Sequence, residues 1–190
     1  MVLLHTPEKK NNFKAPDFAL ESTNGSIVKL EDCMGDSGVA VMFICNHCPY
    51  VIAIIDRIVE TCNKLQENGI GCIAIMSNDT QTHPADSFEN MKLFAQKHDF
   101  TFPYVIDEKQ DVAKAYEAVC TPDFFGFDKD GILQYRGRLD SAANKPADET
   151  TTPELLNAML KLKNSEPTTT QIPSMGCSIK WKEEPKKIFE

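Results

Sequence analysis

The chain has 190 residues, 42% of them hydrophobic, with a formal net charge of −8 and a pI near 5.0. A chain of this size buries a core without disulfide staples, and one domain is the default. The acidic balance speaks against a nucleic-acid partner, which needs clustered Lys and Arg. No run approaches about eighteen apolar residues and no signal-peptide pattern precedes Lys10, so neither a membrane span nor a secretory leader is expected. Seven cysteines cannot all pair within one chain. Free thiols suit a reducing compartment, so a cytoplasmic location is expected.

In chain order, Phe18 to Leu20 and Ser26 to Leu30 flank Asn24-Gly25, a dipeptide that tolerates positive φ, and predict a hairpin. Val39 to Ile44 is wholly apolar, follows Gly38 and is too short for a helix, which predicts a central strand that delivers Cys45 at its end. From Pro49 the apolar positions Val51, Ile55, Ile58, Cys62 and Leu65 fall on one helical stripe, with Gly69 as its C-terminal cap. Ile70 to Met76 predicts a second core strand. Phe88, Met91, Phe94 and His98 mark a helix after Pro84, Phe102 to Ile106 a short strand, and Val112 to Tyr116 a brief helix. Phe124 to Phe127 and Ile132 to Tyr135, joined by Asp128-Lys129-Asp130-Gly131, predict an antiparallel hairpin. Thr152-Pro153-Glu154 opens a last helix that runs to about Lys163.

This alternation predicts one α/β domain over residues 1–163, a sheet covered by helices on both faces. Asn164 to Pro173 has the Thr, Pro and Ser content of a connector. Residues 164–190 form a C-terminal extension that carries Cys177 and the only tryptophan, Trp181. Ile179 and Trp181 offer apolar anchors, so the extension is expected to dock on the domain and to bring Cys177 toward Cys48.

The segment that carries chemistry is Cys45-Asn46-His47-Cys48-Pro49, where a strand ends and a helix begins. Pro49 suits the first helical position, which places Cys48 at the cap, where a thiolate is stabilised and its pKa lowered. His47 stands beside it as a source of positive charge or a donor. Cys45 reaches Cys48 only through a tight turn. Three readings of this C-x-x-C stand: a redox pair, a metal site completed from Cys120, Cys177 and His47, and two buried hydrophobes. The strand-to-helix setting favours the redox reading, whereas Cys33, Cys62 and Cys72 read as structural. Ahead of the late hairpin, Cys120-Thr121-Pro122 places a proline at a strand start. Cys120 lies either near the site or packed beneath it.

Ala15-Pro16-Asp17-Phe18, the strand running into Cys-Asn-His-Cys-Pro, the Thr121-Pro122 loop and the late hairpin together resemble the thioredoxin superfamily. Residues 13 to 162 are similar more narrowly to its peroxiredoxin-like branch, the alkyl hydroperoxide reductase/thiol-specific antioxidant family. The resemblance implies a thioredoxin-like fold with a central mixed sheet, and makes Pro122 the cis-proline facing the reactive cysteine. In the thioredoxin register Phe43 puts Cys48 in the place of the first active-site cysteine and Val51 in that of the second. Peroxiredoxins carry Thr or Ser, Pro and Arg where this chain has Cys45, Val41 and Pro122, so the groups that polarise a peroxide are replaced.

The expected activity is therefore thiol-disulfide exchange or thiol-dependent antioxidant action, with Cys48 as nucleophile and Cys45 or Cys177 as resolving partner. Peroxide reduction is the alternative, and a metal-binding thiol module the second. The expected partners are a thiol or disulfide substrate, proteins included, and a thioredoxin- or glutathione-type reductant. No cofactor, nucleic acid or membrane is expected.

Overall fold

The Asn24-Gly25 dipeptide turns the chain as its chemistry predicts: Gly25 adopts φ +85° and its amide donates to the Ser22 carbonyl. The computed structural model describes residues 2–8, 10, 12–166 and 171–183. A first strand, β1 (Leu3–His5), precedes the hairpin of β2 (Ala19–Ser22) and β3 (Ile27–Lys29). One helical turn, α1 (Leu30–Cys33), leads to β4 (Val39–Phe43). There follow α2 (Pro49–Ile52), α3 (Ile55–Glu67), β5 (Gly71–Met76), α4 (Phe88–Lys97), β6 (Tyr104–Ile106) and α5 (Asp111–Ala115). The remaining described elements are β7 (Cys120–Thr121), β8 (Asp123–Phe127), β9 (Leu133–Gly137), α6 (Glu154–Lys163) and β10 (Met175–Ser178).

Seven strands form the main sheet in the order β3-β2-β6-β5-β4-β8-β9. β4, β5 and β6 run parallel while the others join antiparallel, so the sheet is mixed. β4 is apolar throughout because it is buried on both faces. Ala40 and Met42, with Ile44 just beyond them, enter one core with Ile58, Leu65, Met91 and Leu155 from α3, α4 and α6. Val39, Val41 and Phe43 enter the other with Leu30 of α1 and Ala113 of α5. That alternation is the two-residue period of a strand. Helices thus cover both faces, as expected. Among the described residues no helix is long and apolar enough to cross a membrane.

The predicted single helix from Pro49 is broken. Ile54 takes φ −125° and ψ 4°, separating α2 from α3. Val51, Ile52, Ile54 and Ile55 put four β-branched side chains into five positions, where helical geometry restricts their χ1 and crowds the preceding turn. The stripe itself holds, since Val51, Ile55, Ile58, Cys62 and Leu65 are all buried. Gly69 adopts φ +74° just past α3, in the role predicted for it.

A second, small sheet has the order β1-β10-β7, antiparallel throughout. Through it the C-terminal extension lies on the domain, with Cys177 opposite Thr121 and Gly176 opposite Leu4. Ile179 is 3% exposed and packs in the second core, whereas Trp181, expected as an anchor, is 41% exposed. Backbone bonds around Lys180 to Asn78, Asp79 and Gln110 hold this stretch, so no indole contact is required. Of the expected connector, residues 167–170 lie outside the described residues. Gln171 and Ile172, beyond them, accept from the backbone amides of Arg136 and Arg138.

Candidate active site

β4 ends at Phe43, and the chain turns through Cys45, Asn46 and His47 before Pro49 opens α2. Cys48 is the N-cap of α2, extended at φ −67° and ψ 120°, and its carbonyl accepts from the Val51 and Ile52 amides. The Cys-Pro order predicts this placement. α2 is one turn long, however, so the immediate neighbours of the sulfur matter more than a helix dipole.

Those neighbours come from two distant segments. Cys48 Sγ lies 3.0 Å from Cys177 Sγ on β10 and 3.1 Å from the Thr121 carbonyl oxygen on β7. Residues directly opposed across an antiparallel pair project to the same face, so the register of Cys177 against Thr121 aims both at one spot. Cys45 Sγ is 3.3 Å from Thr121 Oγ1. The Thr121–Pro122 peptide bond is cis, as the family likeness implied. Cys120, one residue earlier on β7, points the other way; its buried thiol turns to the Pro122 carbonyl at 3.8 Å.

The three sulfurs differ in charge. Cys48 is lowered from the ordinary thiol value of 9.0 to about 4. The Cys45 thiol is the main cause, joined by the Cys177 thiol and the backbone amides of Cys177 and Val51, and together they outweigh burial. Cys45 moves well above its usual range because that hydrogen bond holds its proton, with burial and the Asp86 carboxylate acting in the same direction. Burial first, then the contact with Cys48, pushes Cys177 up to about 12. These shifts favour the charge on Cys48 and the protons on Cys45 and Cys177; while it is protonated, the Cys48 thiol donates to the Thr121 carbonyl. Burial also raises Cys120.

His47 was a candidate donor beside Cys48. The structure instead turns its Nδ1 to 2.7 Å from Asp86 Oδ2 and stacks its ring on His83 at 5.5 Å. Asp86 is fully buried and accepts from the Asn46 amide and from Asn78 Nδ2, which pins the turn that carries both cysteines. Asp86 and Asn78 belong to the site by proximity alone and nothing in their spacing marks them, whereas Thr121 stands in the Thr-Pro loop that carries the family resemblance. Beside Pro122 lies a mainly apolar cavity of about 410 Å³ walled by Tyr50, Ile54, Phe124, Leu139 and Met175.

Residues 12–136 match the AhpC/TSA family. The chain belongs to that family. Its thioredoxin-like fold is shared with an uncharacterized conserved protein from Geobacillus kaustophilus, at a TM-score of 0.92 and 41% identity over 97% of this chain and 99% of that one. The thioredoxin domain of a thiol-disulfide oxidoreductase from Bacteroides vulgatus superposes at a TM-score of 0.62 over 83% of this chain and 100% of that one; at 19% identity this likeness is one of fold alone. Among curated proteins, thiol-disulfide oxidoreductase ResA from Geobacillus thermodenitrificans is 29% identical over 120 residues, 63% of this chain. The match spans 64% of that relative's length. The AhpC/TSA segment supplies Cys45, Cys48, Thr121 and Pro122, and it stops at Arg136, before β10. Cys177, which meets Cys48, comes from outside the matched segment.

Proposed function

We propose that this chain is a thiol-disulfide oxidoreductase in which Cys48 is the nucleophile and Cys177 the resolving thiol. The 3.0 Å separation of their sulfurs carries the proposal. In the first step the Cys48 thiolate attacks one sulfur of a substrate disulfide, that S–S bond breaks, and the other sulfur leaves as a thiolate that takes a proton from solvent. Cys177 then gives up its proton and attacks Cys48 Sγ, so the remaining substrate sulfur leaves as a thiolate and the two cysteines close to about 2.05 Å. A thiol reductant of the thioredoxin or glutathione type returns both cysteines to the reduced state. Cys45 holds the charge on Cys48 and is the second candidate for resolution. Family membership and the likeness to a protein named as a thiol-disulfide oxidoreductase support this reading. Protein disulfides as substrates, an antioxidant role and a cytoplasmic setting belong to the same proposal, the last resting on the odd number of cysteines.

Peroxide is the poorer substrate in this reading. A peroxidase stabilises the leaving oxygen with a cation. All three arginines of the chain are bound to carboxylates: Arg57 to Asp140, Arg136 to Asp123 and Arg138 to Glu154. Cys48 also has no exposed surface, so a substrate reaches it only when part of its cover, which includes Cys177 of β10, moves aside.

Oxidation of the purified protein with a small disulfide, followed by digestion without reduction, is expected to yield a Cys48–Cys177 linked peptide. Linkage of Cys45 to Cys48 alone would transfer the resolving role to Cys45. Undiminished turnover in Cys48→Ser would overturn the proposal.

A further inference from the structure

The turn that carries Cys45 also faces a second group of donors, which does not include Cys177. We propose that Cys45, His47 and Asp86 form a binding site for a divalent transition cation of the zinc class in the reduced protein. The ligand atoms available are Cys45 Sγ, a ring nitrogen of His47 and an Asp86 carboxylate oxygen, and all lie within 4.8 Å of one another. Cys45 and Asp86 are buried, and His47 Nδ1 is a buried nitrogen without a hydrogen-bond partner. Asp86 Oδ2 stands 2.7 Å from that nitrogen but out of line for a hydrogen bond. A ring nitrogen and a carboxylate oxygen this close, without a hydrogen bond joining them, are two donors that one cation can share.

Chemistry selects the class of ion. Magnesium and calcium take oxygen ligands, whereas a mixed sulfur, nitrogen and oxygen set suits borderline ions such as zinc or cobalt. Zinc sits about 2.3 Å from sulfur and about 2.0–2.1 Å from nitrogen or oxygen, which sets the edges of its tetrahedron at roughly 3.3–3.5 Å. The nitrogen–oxygen contact therefore widens on binding and the longer separations close. Asp86 is already oriented for this by the Asn46 amide and Asn78 Nδ2, the outer hydrogen bonds that fix a metal ligand. The 23% exposed side chain of His47 marks the route of entry and leaves a fourth position for water. On binding, the Cys45 thiol releases its proton to solvent, and the thiolate and the Asp86 carboxylate together balance the two positive charges. Apart from Cys45 and His47, this set differs from the thiols the sequence offered, because Asp86 supplies the donor that Cys120 and Cys177 do not.

The test uses cobalt(II) as an optical probe on the full chain, stripped with chelator and kept reduced by a phosphine. Titration is expected to raise a near-ultraviolet thiolate-to-cobalt band that saturates at one ion per chain. The band should vanish in Cys45→Ser, and the apparent affinity should fall roughly tenfold or more in Asp86→Asn and in His47→Gln. His47→Gln keeps the test sound should Asp86→Asn loosen the turn. Absence of the band in the parent protein would overturn the proposal. So would a band that survives Cys45→Ser and disappears in Cys177→Ser, which would assign the ion to the Cys48–Cys177 pair. The readout involves no turnover, so its failure and that of the proposed oxidoreductase activity are distinguishable.

Discussion

Gly176 lets β10 lie against β7, and replacing it should uncover Cys48. A Cβ at this position would stand 2.1 Å from the Thr121 carbonyl oxygen, 2.5 Å from its carbon and 3.0 Å from the Pro122 nitrogen. Carbon–oxygen contacts ordinarily stop at about 3.3–3.6 Å, so in Gly176→Ala the strand retreats by roughly 1 Å. Overpacking of this kind costs about 1–3 kcal/mol. Placed on the equilibrium between docked and lifted β10, that is roughly a 5- to 150-fold shift toward the lifted state. Cys48 has no exposed surface, so its alkylation passes through the lifted state and should accelerate by the same factor. Reaction of the reduced protein with iodoacetamide, followed at Cys48 by peptide mass spectrometry, measures the rate. Far-ultraviolet melting should change little, because the main sheet does not include β10. An unchanged Cys48 rate, or a rise no larger than that of buried Cys62, would refute the reasoning.

In chelator-treated Cys45→Ala, the Cys48 sulfur loses its main hydrogen-bond donor. Hydrogen bonds to charged groups are worth about 1.5–3 kcal/mol, so the pH midpoint of Cys48 alkylation should rise by about 1–2 units, and a fixed midpoint would remove Cys45 from that role. Because the folded value of Cys48 lies below its ordinary 9.0, the unfolded chain binds the extra proton between pH 9 and about 4. Its stabilising contribution is thus full above that window and lost as pH falls through it. The melting-temperature gap between the parent and Cys48→Ala should accordingly narrow from pH 9 toward 4, and calorimetry showing a constant gap would contradict this. Asp123 and Arg136 are both buried and their atoms meet at 2.8 Å, so Asp123→Asn leaves a guanidinium unpaired. A loss of about 3–5 kcal/mol in urea unfolding is expected, and an unchanged midpoint would deny the pair its structural role.

Short-range chemistry was legible. Asn24-Gly25, the apolar run from Val39 and the Cys48-Pro49 boundary each depend on steric rules that act within a few residues, and each appears where those rules put it. The break at Ile54 is also local, but the stripe of apolar residues masks the crowding of β-branched neighbours. β1 and β10 carry three and four residues, too few for a two-residue alternation to stand out, and they form because distant chain segments meet. Cys177 was readable as a docking residue, whereas Trp181 was not, since backbone hydrogen bonds at Lys180 do the holding. Asp86 and Thr121 join the site only through folding, lying 40 residues from Asn46 and 76 from Cys45.

The small sheet also has a consequence in time. Cys48 and Cys177 are 129 residues apart, so at roughly 5–20 residues per second the second sulfur is made roughly 6–26 s after the first. Every strand of the main sheet lies upstream of β10 in the chain. A nascent domain can therefore assemble its main sheet before Cys177 arrives to complete the cover of Cys48. A chain that stalls before Met175 thus holds Cys48 without the cover of β10 and without the thiol and amide of Cys177 that help to lower its pKa.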